Sequence, residues 1–281
     1  ECREAGSRRE NAACDGWVRP ESACAGQGVD HRLLRAVAAR LSPKPKKTLL
    51  SWSSGKDSAW ALHVLRRDPA VEIAGMFTVI SDRSDRVSMH STRAGLLRDQ
   101  ADAAGMALRI VRIPDCCTNE QYDAVMARFT AECAQEGIEC MAFGDLSLED
   151  VRRYRERRLK GTGIAPLFPL WGVDTLELAE EMLAAGLETY ISCVDLDRLP
   201  AGFAGRIWTR DLIGELPPGA DPCGENGEFH TIVTAGPMFG RRIRVDIGGI
   251  VLRDGFAYAD IIPAADRPGF HPLRRRSKRI R

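Results

Sequence analysis

The chain has 281 residues, 44% hydrophobic and 28% charged, which allows one large domain or two modest ones with a real core and excludes a wholly disordered or fibrous chain. Lys and Arg number 40 against 39 Asp and Glu, a net charge of +1, so no global field draws the chain to nucleic acid or an anionic membrane. No apolar run approaches the roughly 18 residues that cross a bilayer, and charges stand where a signal peptide needs its apolar stretch. A cytoplasmic protein with no membrane partner is expected, and nine cysteines without a CxxC pair fit a reducing compartment.

In chain order, residues 1–46 mix Arg, Glu, Gly and Ala, with helical apolar spacing only over 29–41. They read as a poorly ordered extension; the chain opens on Glu1 instead of Met, as a fragment or a misplaced start would, and the stretch is set aside from the fold. Strands are expected near 49–52, 71–80, 108–113, 140–143 and 189–194, and helices near 58–67, 92–104, 119–136, 148–160 and 175–185. Strands alternating with helices imply a mostly parallel sheet with helices on both faces, spanning 47–200. From about Gly202 the texture turns to Gly- and Pro-rich loops with short β-like runs, a smaller region over 201–265 followed by a basic tail over 266–281.

Ser53-Ser54-Gly55-Lys56-Asp57-Ser58 lies between the first strand and the first helix, where free backbone N–H groups and the helix dipole favour an anion. A GxxxxGK loop needs a glycine five residues before Gly55, and Leu50 stands there, so the Walker reading fails. Ser53 and Ser58 supply hydroxyl donors, Gly55 permits close backbone approach and Lys56 offsets negative charge. The plainer alternative is a Ser/Gly turn in which Asp57 or Ser58 caps the helix.

Gly144-Asp145-Leu146-Ser147-Leu148-Glu149 follows the strand at 140–143, placing Asp145 on the C-terminal rim of the sheet, where open α/β sheets bind ligands. Most charges of the next helix read as a solvated face with pairs such as Glu149 and Arg153; Asp145 and Glu149 are set apart as functional. Pro166-Leu167-Phe168-Pro169-Leu170-Trp171 comes next, and later Cys223-Gly224-Glu225-Asn226-Gly227-Glu228-Phe229-His230-Thr231. The second segment gathers two carboxylates, a thiol and an imidazole, yet its spacing matches no standard zinc pattern.

The loop resembles the SGGxDS PP-loop of ATP pyrophosphatases, with Ser54 in place of the first glycine. Together with the GD, PLFPLW and GENGEF segments, over roughly 48–262, the chain resembles the diphthine ammonia ligase family, especially its bacterial-type members. That resemblance implies a Rossmann-like adenine nucleotide α-hydrolase domain and a substrate-binding region with the GENGEF motif. It implies ATP and Mg²⁺ as cofactors and a reaction in which a carboxylate is adenylated, pyrophosphate leaves and ammonia displaces AMP.

Carried onto this chain, Ser53, Ser54, Gly55, Lys56, Asp57 and Ser58 bind the ATP phosphates, and His90 and Arg93 reach toward the nucleotide. The plainer alternative for that segment is a helix N-terminus capped by Ser91 with His90 exposed. Asp57 and Asp145 lie near Mg²⁺, with Glu149 close by, and Cys223, Gly224, Glu225, Glu228 and His230 face the substrate. Lys56, Asp57, Asp145, Glu228 and His230 are the catalytic candidates, with either Glu228 or His230 as the base that takes a proton from ammonium. Cys223 is demoted because adenylation needs no covalent nucleophile, and Cys193 reads as a buried strand residue. The substrate is a small-molecule or protein-borne carboxylate, and a homodimer is compatible with the sequence. Two rivals remain: an RNA-modifying enzyme, favoured by the basic run Arg274-Arg275-Arg276, and an ATP-binding module without turnover.

Overall fold

Thr48, Leu49 and Leu50 are buried in succession, the continuous apolar signature of a strand covered on both faces. The computed structural model describes residues 44–82 and 92–264. Nearly all of the expected N-terminal extension, His90 and the basic tail lie outside the described residues. Strand β1 (Lys46–Ser51) is the centre of a five-stranded parallel sheet with β2 (Val71–Ser81), β3 (Leu108–Ile113), β4 (Cys140–Ala142) and β5 (Ala165–Leu167), in the order β3-β2-β1-β4-β5. Helices α1 (Lys56–Leu65), α2 (Ala94–Ala104), α3 (Asn119–Gln135) and α4 (Glu149–Leu159) connect the strands.

Side-chain alternation along β1 splits the core in two. Leu50 joins Trp60 and Leu62 of α1 and Leu97 of α2, while Leu49 joins Phe129 of α3 and Leu159 of α4. The parallel strands diverge on the two sides of β1, so the crevice between the C-terminal ends of β1 and β4 is the topological switch point, where ligands bind in such sheets.

The strand expected at 189–194 forms as β6 (Glu188–Asp195), but it does not join the parallel sheet. It pairs antiparallel with β7 (Phe229–Ala235) and β9 (Phe256–Pro263), and β8 (Val245–Arg253) completes a second sheet in the order β7-β6-β9-β8. The fifth parallel strand is the three-residue β5, where no strand was expected. Pro166 sits at this sheet edge, where its missing N–H costs no ladder bond. Helix α5 (Thr175–Ala184) leads into β6, and α6 (Arg210–Gly214) lies between β6 and β7. No described helix is long and apolar enough to cross a membrane.

The two sheets are joined through a fully buried amide. Gln100 on α2 accepts a hydrogen bond from Trp52 Nε1 at 2.9 Å through Oε1, and its Nε2 donates to the carbonyls of Ser54 at 3.0 Å and Val233 at 2.8 Å. Val233 N also donates to Ser54 O at 3.0 Å. Replacing Gln100 with Leu keeps volume but strips these groups of a partner where water cannot substitute. The expected cost is about 3 kcal/mol, read as a lowered urea midpoint at constant m-value; a loss below about 1 kcal/mol would show that the joint tolerates an apolar plug.

Candidate functional site

The loop between β1 and α1 is held in one conformation by its own groups and by its neighbours. Ser54 adopts φ 76°, a left-handed conformation that costs a non-glycine residue about 1–2 kcal/mol. Its buried hydroxyl bonds to Thr92 Oγ1 at 2.7 Å, which offsets that strain and accounts for a serine where the pattern has glycine. Ser53 Oγ and Ser58 Oγ stand 3.1 Å apart, Ser58 Oγ donates to Gly55 O at 3.0 Å, and Gly55 N donates to Ser53 Oγ at 3.4 Å. Gly144, just past β4, permits this approach: a Cβ there would lie 2.8 Å from the Asp57 carbonyl carbon and 2.9 Å from Ser58 N.

A cavity of about 480 Å³ opens at this point, walled by the loop, by Asp145 and Arg155 after β4, and by the turn that leads into β7. Lys56 N donates to Thr231 Oγ1 at 3.1 Å, and the Lys56 ammonium is gripped by both Asp57 oxygens at 2.8 and 3.0 Å. It also lies 5.9 Å from the Trp208 ring and 5.8 Å from the Phe229 ring, within cation–π range. Burial pulls its pKa down, but Asp57, with help from Cys223 and Glu225, leaves it above the usual lysine value. Lys56 is therefore a charged ammonium whose first partner is Asp57.

Burial raises the Asp145 pKa, Arg155 opposes the rise and Asp57 adds to it. Glu225 is raised by burial too, against the pull of backbone amides; its Oε1 accepts from Leu146 N, Ser147 N and Leu148 N at 3.0, 2.8 and 3.4 Å. Glu225 thus lines the cavity while tying the turn to the start of α4. Burial, then the Lys56 charge, lowers the His230 pKa below the ordinary imidazole value, so the ring facing the cavity is neutral at pH 7. Cys223 also lines the cavity, but burial pushes its thiol up to about 12, and Sγ donates to Thr175 O at 3.2 Å.

Five residues expected at the site are not on the cavity wall: Glu228, Glu149, Arg93, and within the loop Gly55 and Ser54, the last because its hydroxyl is turned to Thr92. Glu228, expected to face the substrate, is 2% exposed beneath the turn, where Oε1 accepts from Asp221 N at 3.1 Å and Asn226 Nδ2 at 3.2 Å. Glu149 projects into solvent within 3.8 Å of Arg153, the surface pair that its helical spacing allows. Arg93, expected to reach the nucleotide, instead grips Asp260 of β9 with bonds of 3.0 and 2.6 Å. Gly224 remains at the wall; its φ is 69° and a Cβ there would sit 2.8 Å from Phe229 O.

Other wall residues were hidden in charged runs. Arg155 and Arg198 both line the cavity. Arg155 was legible from Leu159, the buried residue of α4, by counting back one turn along the inward stripe. Arg198, in the turn after β6, carries no such signal. Beside the cavity lies an apolar pocket of about 90 Å³ whose wall includes Phe77, Val79, Met126, Met141 and Tyr154. The two share Ser51, Phe143 and Arg155.

Among the described residues no group of three or more His, Cys, Asp or Glu is placed to hold a metal ion. Mg²⁺ does not require one, since it commonly binds through one or two carboxylates, water and substrate phosphates. Asp57 and Asp145 meet that requirement: both line the cavity beside the phosphate loop, the Asp57 charge raises the Asp145 pKa, and Asp145 Oδ2 is buried without a hydrogen-bond partner.

A parallel sheet with a serine-rich anion loop at its switch point, walled by an antiparallel sheet, defines a Rossmann-like α/β protein of the PP-loop type. The chain matches the diphthamide synthase N-terminal domain over residues 46–166 and the diphthamide synthase C-terminal domain over residues 174–262, and it belongs to that family. It is 27% identical over 170 residues to a diphthine–ammonia ligase of Rattus norvegicus and 27% identical over 165 residues to one of Mus musculus. A Homo sapiens diphthine–ammonia ligase is 25% identical over 165 residues. Each comparison covers 56% of this chain and 61% of the relative.

The thiol environments are directly testable. Iodoacetamide at pH 8 is expected to alkylate exposed Cys116 well before Cys193 and Cys223, whose pKa values burial raises to about 11 and about 12. Mass spectrometry of the native protein reads this, and rapid labelling of Cys223 would reveal a thiolate that the site chemistry does not otherwise need.

Proposed function

We propose that this chain is an ATP-dependent ligase that adenylates a substrate carboxylate, releases pyrophosphate and passes the acyl group to ammonia. The observation that carries this reading is the one cavity shared by the serine-rich loop, the Asp57 and Asp145 carboxylates and a neutral imidazole. The rodent and human relatives are named diphthine–ammonia ligases, a name that describes joining ammonia to a substrate.

The loop amides at the N-terminus of α1, with Ser53 and Ser58, hold the β- and γ-phosphates. The apolar pocket takes the adenine ring. The carboxylate substrate enters between the loop and the turn 223–231 and attacks the α-phosphorus in line; pyrophosphate departs toward the loop and the Lys56 ammonium. Most of the acceleration then comes from positioning and charge placement. When bound, Mg²⁺ supplies charge neutralisation on the phosphates, and Asp57 and Asp145 are the residues that would hold it. Ammonia attacks the acyl carbon, AMP leaves, and His230 Nδ1 or Nε2 accepts the proton that the attacking nitrogen loses. Glu228 holds the turn that carries His230.

Turnover is tested by incubating the full chain with ATP, Mg²⁺, ammonium and a pool of small-molecule and protein-borne carboxylates from cell extract. AMP and pyrophosphate are expected in equal amounts, dependent on the extract. ADP and phosphate would overturn the reading, and ATP binding without turnover would leave a binding module.

The imidazole gives a second test. His230 must be neutral to accept a proton, and its pKa lies below the ordinary value of 6.5. Amide formation is therefore expected to hold constant as pH falls to 6.5 and to decline only below it, once the imidazole becomes charged. His230→Gln should lower kcat by roughly 100-fold and abolish this acid limb; an unchanged limb would assign it to another group.

A further inference from the structure

Arg155 occupies the neck between the two compartments. Among the described residues it is the one charged side chain that lines both the polar cavity and the apolar pocket. Its guanidinium lies 4.8 Å from the ring centre of Phe143, a residue of the same shared wall. Arg155 Nε is buried without a hydrogen-bond partner, and so is Asp145 Oδ2 beside it at 3.5 Å. These two atoms face each other in a loose ion pair, a contact that buried polar groups rarely leave so long, while the rest of the Arg155 side chain, 29% exposed, lines the neck.

The neighbouring arginines are engaged elsewhere. Arg152 lies over the Phe168 and Trp171 rings at 5.1 and 4.6 Å and bonds Glu156 at 2.9 Å. Arg158 pairs with Asp123. Taking as its basis the ATP reading above, we propose that Arg155 binds the α-phosphate of the nucleotide at this neck, exchanging its loose contact with Asp145 for a bidentate contact to phosphate oxygens. A planar guanidinium presents its donors in the geometry a phosphate accepts. With the purine in the apolar pocket and the β- and γ-phosphates in the loop, the α-phosphate has to pass Arg155. The residue then acts at the phosphorus that the carboxylate attacks, and it releases Asp145 only when nucleotide is present.

Calorimetric titration of the full chain with AMP, adenosine and inorganic pyrophosphate in magnesium-free buffer tests the proposal. Arg155→Gln should weaken AMP about 30-fold, the scale of one charge-assisted phosphate contact, while adenosine and pyrophosphate stay within about twofold. Arg155→Lys should recover part of the loss, and Asp145→Asn, which removes the competing carboxylate, should tighten AMP severalfold. Unchanged AMP binding by Arg155→Gln, or equal weakening of all three ligands, would overturn the assignment while leaving the ATP reading intact. Wild-type protein that binds neither AMP nor pyrophosphate would overturn both.

Discussion

The Ser54 carbonyl receives hydrogen bonds from Val233 N and Gln100 Nε2, and the architecture around the cavity depends on that convergence. A phosphate loop made of serine and glycine has many conformations open to it, and an anion site is effective only if its donors are fixed before the anion arrives. Here one end of the loop is pinned by an amide that also binds Trp52 and Val233, and the other by Lys56 N on Thr231 Oγ1. Both anchors are buried, so releasing either leaves polar groups that water cannot reach. The loop belongs to the parallel sheet by sequence and to the antiparallel sheet by hydrogen bonding, which explains why one cavity serves residues about 175 positions apart.

The parts of this arrangement legible in the sequence are those written as period or as turn chemistry. Alternating strand and helix patterns locate β1 to β4 and α1 to α5, and the SSGKDS and GD segments fall at the sheet's C-terminal rim because strands precede them. The pattern does not reveal which sheet a strand joins. β6 lies between β7 and β9 and is buried at Thr189 and continuously over Ile191–Val194, and such a run suits a parallel or an antiparallel neighbour equally. β5 is too short to show a period at all. Buried polar residues escape for the opposite reason: a glutamine or arginine on a helix reads as surface unless its place on the inward stripe is counted. Gln100 stands one turn from Leu96 and Leu97, and Arg155 one turn before Leu159.

Glutamates in the turn 223–231 illustrate a related limit. Composition shows an unusual density of acid groups but not which of them face ligand. The fold assigns Glu225 to the amides that open α4 and Glu228 to the amides of the turn itself, so both carboxylates act largely as supports. Asp221 shares that work through Cys223 N at 2.7 Å and Thr175 Oγ1 at 2.6 Å. What the turn delivers to the cavity is the His230 ring, carried on the first residues of β7 directly after the braced segment.

The charge distribution around the cavity favours direct attack by the substrate's own carboxylate over a covalent enzyme intermediate. Among the described residues the one cysteine on its wall has a thiol pushed up to about 12 and donates to a backbone carbonyl, so it is a protonated thiol at neutral pH. Lys56 is charged and paired, and the imidazole is neutral. None of these groups competes with an ionised carboxylate as a nucleophile, and the lysine and the arginines on the wall offset the charge of such a substrate beside the triphosphate. For the proposed reaction the protein needs only to hold two anionic reactants in line and offer a neutral base for the later proton. A loop pinned from two sheets, with an imidazole braced on the opposite wall, satisfies both requirements.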